Sequence, residues 1–349
     1  MATDSRGPTL SIVIVAWNSS AELGRTIPPL LAELSAGDEL VVVDNDSADR
    51  TPELVAELAP EATLIRMREN TGFAAGANTG AAAASGELLV LLNPDAAPQP
   101  GFGEAIRRPL ADARGWGAWM GLVTAGGGRV VNTRGGVLHF TGIAWAGGAG
   151  EPIERIEPAE VPFLSGACLA LPRATWDRLG GFCGRYFLYH EDVDLSLRLR
   201  LAGERIGIEP AAVVDHEYEF SANPAKYRHL ERNRWQTLLR DYPAPLLALL
   251  APALLLTELG LWAAAIAGGW ARLKWDAGFD VLRSLGPALR ERRAIQDERR
   301  IEAGEFAAFL TPELDSPYLG AAGRIAPLRW GLRGYWWIVR ALLRAPDHP

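Results

Sequence analysis

The chain has 349 residues, a length typical of about two domains. Hydrophobic residues make up 48% of it and charged residues 22%, a balance that excludes disordered, collagen-like and wholly membrane-embedded proteins. The net charge of −7 argues against nucleic acid as a partner. The two cysteines, Cys168 and Cys183, are too few for a disulfide framework or a four-cysteine zinc site, and their scarcity fits a reducing compartment.

Charge is distributed unevenly along the chain. Residues 1–220 carry 17 basic and 29 acidic side chains, whereas residues 221–349 carry 18 basic and 13 acidic ones. A change of sign between two parts of a chain indicates different surroundings, and a basic C-terminal region often faces phosphate or anionic lipid. We therefore expect two domains, one over residues 1–235 and the other over residues 236–349.

Apolar strands and helices alternate between residues 10 and 95. The runs SIVIVAW, ELVVVD, ATLIRM and ELLVLLNPD predict four strands, and helices are expected over residues 20–36, 51–58 and 72–85. Continuous apolar strands that alternate with helices indicate a parallel sheet covered on both faces, so the expected fold class is α/β. Gly72, Gly76 and Gly80 share one face of the third helix. That spacing fits either close packing on the sheet or the approach of a ligand to the backbone.

The pattern is less regular after residue 110. Residues 110–160 are rich in Gly and Trp and predict β-hairpins and a flexible loop. A helix is expected from Glu191 to about Ala202, and the run IGIEPAAVVDH predicts another strand. The apolar run Ile12–Ala16 near the N-terminus is too short for the core of a secretory signal, so no signal peptide is expected.

Residues 244–270 form a long apolar segment whose single charge, Glu258, lies near its middle. The length would permit a membrane span, but a charge at bilayer depth costs about 2.5–3.5 kcal/mol, and Pro and Gly interrupt the segment. Basic stretches flank it on both sides. We interpret it as a membrane-embedded or interfacial hairpin on the cytoplasmic face; a buried helix pair of a soluble domain and a true span are the alternatives.

Residues 324–344 have the composition of an amphipathic helix at lipid headgroups. They contain five Arg, no acidic residue, and the aromatic residues Trp330, Tyr335, Trp336 and Trp337. We therefore expect an anionic membrane surface as a partner. The alternative is that these aromatic side chains pack inside a soluble helical domain.

Polar residues stand at the ends of three predicted strands. Asp44 ends the second strand, Asn93 and Asp95 follow the fourth, and His216 ends the late strand. Because ligands of open parallel sheets bind outside the carboxyl ends of the strands, these side chains are expected at one cleft. Asp95 and His216 offer one oxygen and one nitrogen ligand for a divalent ion, with phosphates and water at its other positions. Taken singly, each residue fits ordinary turn chemistry equally well.

Two nucleotide-binding motifs are absent from the sequence. The turn after the first strand is AWNSSAELG, which lacks the GxGxxG pattern of dinucleotide-binding domains, and no GxxxxGK[ST] loop occurs. A nucleotidyltransferase would require a Gly-rich loop with Lys or Arg at this turn, and Trp17, Asn18 and Ser19 supply neither.

Three carboxylates crowd the start of the helix after FLYH. Glu191, Asp192 and Asp194 lie where the helix dipole favours negative charge, so capping is one explanation. Three acids exceed what a cap requires, however. A carboxylate placed in a cleft can serve as the general base for an acceptor hydroxyl.

Five stretches in this order resemble the family 2 glycosyltransferases: SIVIVAWNSS, VVVDNDSADRT, ENTGFAAGANTG, LLNPDA, and GGFCGRYFLYHEDVDLSLRLR with VVDHEYEFS after it. The resemblance covers about residues 8–235 and is greatest to the bacterial branch of rhamnosyltransferase-like and galactofuranosyltransferase-like enzymes. It implies the GT-A nucleotide-sugar-binding fold, with a C-terminal apolar, helical region that associates with the membrane.

The resemblance also implies roles for individual residues. The nucleotide sugar would contact residues from the first two strands, the third helix and the fourth strand end, namely Ala16, Trp17, Asp44, Asn70, Gly72, Phe73, Asn78, Asn93 and Asp95. Asp95, in the DXD-type variant Asn93-Pro94-Asp95, and His216 would hold Mg²⁺ or Mn²⁺. The acceptor side would include Gly166, Ala167 and Cys168, and the catalytic carboxylates would be Asp192, as the base, and Glu191 beside it.

The activity implied by the resemblance is inverting transfer of a sugar from a nucleotide-diphosphate donor to a hydroxyl of a lipid-linked or cell-surface glycan. The donor would be dTDP-rhamnose or a UDP-sugar, and the acceptor a glycan or a polyprenol-linked sugar. A non-catalytic, membrane-anchored scaffolding protein of glycan assembly that retains the fold is the alternative. The presence of Asp192, Asp95 and His216 favours the enzyme.

Overall fold

The computed structural model describes residues 7–217, 225–315 and 325–346. The chain divides into two compact units whose segments interleave along the sequence. Unit 1 comprises Met1–Gly135, Gly147–Leu195 and Arg205–Glu219, and unit 2 comprises Gly136–Ala146, Ser196–Glu204 and Phe220–Pro349. The expected division into domains over residues 1–235 and 236–349 concerns independent folding, and it stays a prediction.

Unit 1 is built on a mixed β-sheet. Its described strands are β1 (Leu10–Ala16), β2 (Glu39–Asp44), β3 (Thr63–Arg66), β4 (Leu88–Leu92), β5 (Ala96–Pro98), β6 (Trp116–Ala125), β7 (Val130–Thr133), β10 (Ala159–Glu160), β11 (Cys168–Pro172) and β12 (Arg205–His216). Strands β8 (Gly136–Leu138) and β9 (Ala144–Ala146) form a separate two-stranded sheet in unit 2. The sheet of unit 1 runs in the order β10-β12-β6-β11-β4-β1-β2-β3, with β5 paired to β12 and β7 paired to β6. Strands β4, β1, β2 and β3 are mutually parallel, whereas β11 is antiparallel to both of its neighbours.

The parallel strands are those that the sequence predicts, and they are the centre of the core. Every residue of β1 and of β4 is buried, as expected for apolar strands covered on both faces. The helices are α1 (Ser20–Glu33), α2 (Thr51–Leu58), α3 (Gly72–Ala83), α4 (Phe102–Ala111), α5 (Arg173–Leu179) and α6 (Glu191–Leu201), the last being divided between the two units.

Helix α3 packs closely on strand β1. A Cβ atom at Gly76 would lie 2.7 Å from Cγ1 of Val15, and one at Gly80 would overlap Cγ1 of Val13. Close packing therefore accounts for these two glycines.

The prediction for residues 110–160 was incomplete. Hairpins are present, since β7 pairs antiparallel with β6 and β8 with β9. The sequence pattern missed, however, that β6 is a ten-residue strand inside the main sheet. Glycine interrupts its apolar run at Gly121, where a Cβ atom would lie 3.0 Å from Sγ of Cys168 and would overlap the Ala212 carbonyl oxygen.

Unit 2 contains α7 (Lys226–Asp241), α8 (Ala244–Ala267), α9 (Ala271–Asp297), α10 (Ala303–Ala307) and α11 (Ala326–Leu343). Among the described residues α8 is the one helix long and apolar enough to cross a membrane, judged by length and composition alone. Helices α7, α8 and α9 are joined by a buried ion cluster of Glu231 and Arg234 on α7, Glu258 on α8, and Lys274 on α9.

Apolar side chains on three of these helices remain exposed. They are Leu255, Leu256, Leu259 and Ile266 on α8, Trp275, Phe279, Leu282 and Leu289 on α9, and Leu328, Trp330, Trp337, Ile338 and Leu342 on α11. We refer to these thirteen residues as the apolar face of unit 2. Exposed apolar residues mark a surface that binds protein or lipid where they form one contiguous patch.

Candidate active site

Asp95 and His216 lie together at the end of the sheet in unit 1. Strand β5, which follows Asp95, pairs antiparallel with β12, and this register places Ala96 opposite His216. Nε2 of His216 is 3.0 Å from Oδ1 of Asp95 and 3.2 Å from Nδ2 of Asn93. The two strand ends that the sequence singled out therefore meet at one point.

This pair fits a divalent ion that is shared with a diphosphate. In the described part of the chain, no group of three or more His, Cys, Asp or Glu side chains is arranged to hold a metal. Mg²⁺ is commonly bound through one or two carboxylates, with substrate phosphates and water completing its coordination. Asp95 offers one such carboxylate, His216 adds an imidazole nitrogen, which is a ligand typical of transition metals, and Asn93 in place of a first Asp leaves the site a single carboxylate.

Residues 166 and 167, which were predicted to lie on the acceptor side, connect this pair to the acid cluster. The Asn93 N–H donates to the carbonyl oxygen of Ala167 at 3.1 Å, and the Gly166 N–H donates to Oδ2 of Asp192 at 3.0 Å. Cys168 behaves differently. It is fully buried on β11, and burial raises the pKa of its thiol to about 12, so this thiol is a neutral group of the core.

The acid cluster at the start of α6 contains carboxyls in different environments. Glu191 is 5% exposed, and burial, followed by the charges of Asp192 and Asp194, raises its pKa well above the usual range. Asp192 is partly exposed; burial raises its pKa as well, and the N–H groups of Gly166 and Val193 oppose that shift. Asp194 is fully buried and accepts a hydrogen bond from the Tyr186 hydroxyl at 3.2 Å. Asp192 is therefore the member of the cluster that can meet a substrate.

Asn45 organises the start of helix α3. Its Oδ1 accepts from the Thr71 N–H at 3.0 Å, and its Nδ2 donates to Oδ1 of Asn70 and to the Gly72 carbonyl oxygen, both at 3.1 Å. Oδ1 of Asn70 in turn accepts from the Gly72 N–H at 2.9 Å. The carboxyl end of β2 thus fixes the loop that enters α3, with Asn70, Gly72 and Phe73 in sequence there.

The remaining predicted donor-side residues differ in accessibility. Trp17 is 55% exposed after β1, whereas Ala16 is buried. Asp44 is 1% exposed; it accepts from the Ser47 N–H at 3.2 Å, with Nε of Arg66 3.7 Å away.

Asn78 lies in the middle of α3, apart from the loop that enters the helix. Its amide bonds to the backbone N–H and C=O of Phe182 at 2.9 and 2.8 Å. The Asn78 side chain therefore binds the backbone of the loop that follows α5.

The residues that the structure brings together by direct bonds are Asn93, Asp95, Ala167 and His216 at one end and Gly166 and Asp192 at the other. Asn45 lies in the polar strand end Asp44-Asn45-Asp46, whose side chains are expected at the cleft, but no role was predicted for Asn45 itself.

Residues 11–179 match the model of glycosyl transferase family 2. The chain carries a family 2 glycosyltransferase domain. The match begins in β1 and ends with α5, so it includes the Asn93-Pro94-Asp95 strand end but not the acid cluster of α6 or His216.

Curated relatives include a rhamnosyltransferase and a succinoglycan biosynthesis protein. The chain is 29% identical over 258 residues to an N-acetylglucosaminyl-diphospho-decaprenol L-rhamnosyltransferase of Mycobacterium tuberculosis, an alignment that covers 66% of this chain and 83% of the relative. It is 37% identical over 111 residues to the succinoglycan biosynthesis protein ExoO of Rhizobium meliloti, covering 31% of each protein. The protein is therefore similar to bacterial enzymes of polysaccharide and cell-wall biosynthesis.

A solved structure supports the fold. The crystal structure of GalNAc-T7 with UDP, GalNAc and Mn²⁺ superimposes with a TM-score of 0.57 at 16% identity. The superposition covers 70% of this chain and 51% of the GalNAc-T7 chain, so this chain spans about half the length of that protein. The predicted GT-A fold is confirmed.

Proposed function

We propose that this family 2 glycosyltransferase transfers a sugar, with inversion, from a nucleotide-diphosphate donor to a hydroxyl of a polyprenol-linked or cell-surface glycan. The observation that carries the proposal is the continuous set of bonds from His216 and Asp95 through Asn93, Ala167 and Gly166 to Asp192. It connects a pair suited to a diphosphate-bound cation with a carboxylate suited to an acceptor hydroxyl. The mycobacterial relative supports a lipid-linked acceptor and makes dTDP-rhamnose the first donor to test, before UDP-sugars.

Asp192 would act as the general base. Its carboxylate takes the proton of the acceptor hydroxyl while the oxygen attacks C1 of the donor sugar, and the bond from C1 to the diphosphate oxygen breaks on the opposite face. A single displacement of this kind inverts the anomeric centre. Burial and the neighbouring charges of Asp192 and Asp194 raise the pKa of Glu191, which disfavours a second negative charge beside the base.

Asp95 and His216 would hold Mg²⁺ or Mn²⁺ at the donor diphosphate. The cation, when bound, offsets the negative charge of the departing nucleoside diphosphate. Mn²⁺ in the structure of GalNAc-T7, which shares the fold, supports the choice of metal. Exposed Trp17 would stack on the base of the nucleotide, beside Ala16 and Asp44.

The apolar face of unit 2 would lie in the cytoplasmic surface of the membrane, where a lipid-linked acceptor is presented. Glu258 is paired with Arg234 on α7 and Lys274 on α9, so the charged side of α8 is held by protein, while Leu255, Leu256 and Leu259 stay exposed. Each basic residue near an anionic leaflet contributes about 1 kcal/mol, which favours binding of the basic helix α11 in the interface. This arrangement supports a helix that lies in the membrane surface rather than one that crosses it.

The test is sugar transfer by the full-length protein in mild detergent. The substrates are labelled dTDP-rhamnose or UDP-sugars with an N-acetylglucosaminyl-diphospho-polyprenol acceptor, with and without Mn²⁺. Asp192→Asn should lower turnover at least about 10²-fold and leave nucleotide binding intact. The exposed Asp177 on α5 offers a control, because Asp177→Asn should leave turnover unchanged.

Two results would contradict the proposal. A product that retains the anomeric configuration of the donor would exclude the single displacement. Nucleotide binding without turnover on every donor and acceptor would favour a scaffolding protein.

A further inference from the structure

The loop that precedes α6 contains three non-glycine residues with left-handed backbone angles. These are Phe187, Tyr189 and His190, with φ values of 62°, 69° and 67°. Phe187 has ψ −63°, and the Leu188 N–H bonds to the Tyr186 carbonyl oxygen at 2.7 Å, which closes a strained γ-turn. Bulky residues occupy such conformations only where their surroundings hold them there, and these positions cluster at functional sites.

Helix α3 holds Phe187 in place. The Phe187 carbonyl oxygen accepts the Ala74 N–H at 3.2 Å. A Cβ atom at Gly72 would lie 2.5 Å from both the ring and the carbonyl oxygen of Phe187. Because Gly72 has φ +81° and leaves no room for a side chain, the turn rests directly on the first residues of α3.

The same turn leads into the helix that carries Asp192. The His190 carbonyl oxygen accepts the Asp194 N–H at 2.9 Å, and the Tyr186 hydroxyl donates to the Asp194 carboxylate. The direction in which α6 begins, and with it the position of Asp192, therefore depends on how residues 186–190 are held.

A second contact joins the α3 start to Asp192. Cε1 of Phe73 lies 3.5 Å from the position that a Cβ atom of Gly166 would take, and the Gly166 N–H bonds to Asp192. The loop into α3 is also the one that Asn45 fixes at the carboxyl end of β2, the side of a parallel sheet where ligands bind.

We propose that Phe187 is a positioning residue that couples occupation of the donor-nucleotide side, at the start of α3, to the placement of Asp192. This inference rests on the proposed function, which makes Asp192 the base and is here extended by a nucleotide bound near the start of α3. A nucleotide that orders the loop into α3 also fixes Gly72 and Ala74, and these hold the Phe187 turn. If the turn relaxes, Asp192 moves away from Gly166 while the nucleotide contacts persist.

Two variants of Phe187 separate the contribution of its ring from that of its backbone conformation. Phe187→Ala removes the ring but keeps the Cβ atom that strains a positive φ, so its backbone leaves the turn readily, whereas Phe187→Gly removes the ring and occupies a positive φ without that strain. Gly184→Ala, in the same loop, is the matched control, because its new Cβ atom would meet Ala75 Cβ at an ordinary 3.6 Å.

The measurements are kcat and donor KM, the dissociation constant of the nucleotide diphosphate, and hydrogen exchange of residues 186–194 with and without that nucleotide. Phe187→Ala should lower kcat about 10- to 100-fold, the effect of misplacing a catalytic group by about 1 Å, with donor KM and nucleotide binding unchanged. Nucleotide should slow exchange over residues 186–194 in the wild type and in Gly184→Ala but not in Phe187→Ala. The kcat of Phe187→Gly should lie between those of the wild type and Phe187→Ala.

Several outcomes would overturn the inference. Wild-type kcat in Phe187→Ala would do so, as would a loss of kcat that follows a loss of nucleotide affinity. If the wild type transfers no sugar, the proposed function fails, and the exchange experiment still decides whether nucleotide binding reaches residues 186–194. A wild type that binds no nucleotide diphosphate refutes both proposals.

Discussion

Replacing Glu258 by Gln tests the ion cluster that joins three helices of unit 2. The Glu258 carboxylate pairs with Arg234, lies 3.0 Å from Nζ of Lys274, and accepts the indole N–H of Trp235 at 3.1 Å. Glu258→Gln keeps the shape of the side chain and removes its charge. Arg234 and Lys274, whose side chains are each 3% exposed, would then share Glu231 as their one carboxylate in the cluster.

The size of the effect follows from burial. Removing one partner from a buried ion pair costs about 3–5 kcal/mol, because it leaves an uncompensated charge in the interior. The Glu258 side chain retains 21% exposure, so water compensates in part and the lower value, about 3 kcal/mol, applies. At about 2–4 °C per kcal/mol for a domain of this size, the melting temperature should fall by about 6–12 °C.

The assay is thermal unfolding in mild detergent, followed by far-ultraviolet circular dichroism. The control is Glu57→Gln, because Glu57 and Arg50 form a salt bridge of 2.8 Å with side chains 57% and 72% exposed. A solvated pair of this kind contributes about 0–1 kcal/mol, so the control should melt within about 4 °C of the wild type. If Glu258→Gln melts no earlier than Glu57→Gln, the cluster does not hold the helices together and our account of α8 is wrong.

Four further predictions follow from other parts of the molecule. Asp95→Ala and His216→Ala should each weaken Mn²⁺-dependent binding of the nucleotide diphosphate at least about tenfold in calorimetric titrations, and an unchanged metal dependence in both would refute the two-ligand site. Gly80→Ala should destabilise unit 1 by about 1–3 kcal/mol in denaturant unfolding, because the added methyl overlaps Val13, whereas Gly278→Ala on α9, with nothing within 4 Å, should stabilise by up to about 1 kcal/mol. Burial lowers the pKa of His139 to about 3, from about 6.5 in the unfolded chain. Below about pH 6.5 the unfolded chain therefore binds a proton that the folded chain does not bind. The free energy of unfolding should then fall by about 1.4 kcal/mol per pH unit, and His139→Gln should reduce this slope. Full-length protein should sediment with anionic liposomes at low salt and a chain ending at residue 238 should not; full-length protein that stays in the supernatant as a detergent-free monomer would contradict the membrane proposal.

The parallel half of the sheet was predictable because its signals are local. Strand β2 and helix α2 have the predicted bounds, since one is a short apolar run between polar residues and the other is a single amphipathic segment. Strand β6 was not found, because its glycine at 121 is required by the Ala212 carbonyl oxygen and the Cys168 thiol, which are distant in sequence. A glycine that is required by contacts distant in sequence is not part of any periodic pattern of apolar residues.

The same distinction applies to the candidate site. The convergence of Asp95 and His216 followed from the rule that strand ends share an edge of the sheet, and the structure places the two side chains 3.0 Å apart. The strained turn at Phe187 had no sequence signal, because a positive φ is unexpected for an aromatic residue. The burial of Cys168 depends on its partners across the sheet, which the order of motifs along the chain does not reveal.

Helix α8 shows why mean hydropathy does not decide between a core helix, a span and a surface helix. A core helix of a soluble protein is mostly buried, yet 22% of the most apolar 18-residue window of α8 is buried. A spanning helix would have to bring Glu258 to bilayer depth, yet the Glu258 carboxylate forms ion pairs with Arg234 and Lys274 on the neighbouring helices. What remains is a helix whose charged side is held by protein and whose Leu255, Leu256 and Leu259 are exposed, as a helix lying in the membrane surface requires. The pairing of the single charge, rather than the apolar length, therefore supports the interfacial interpretation.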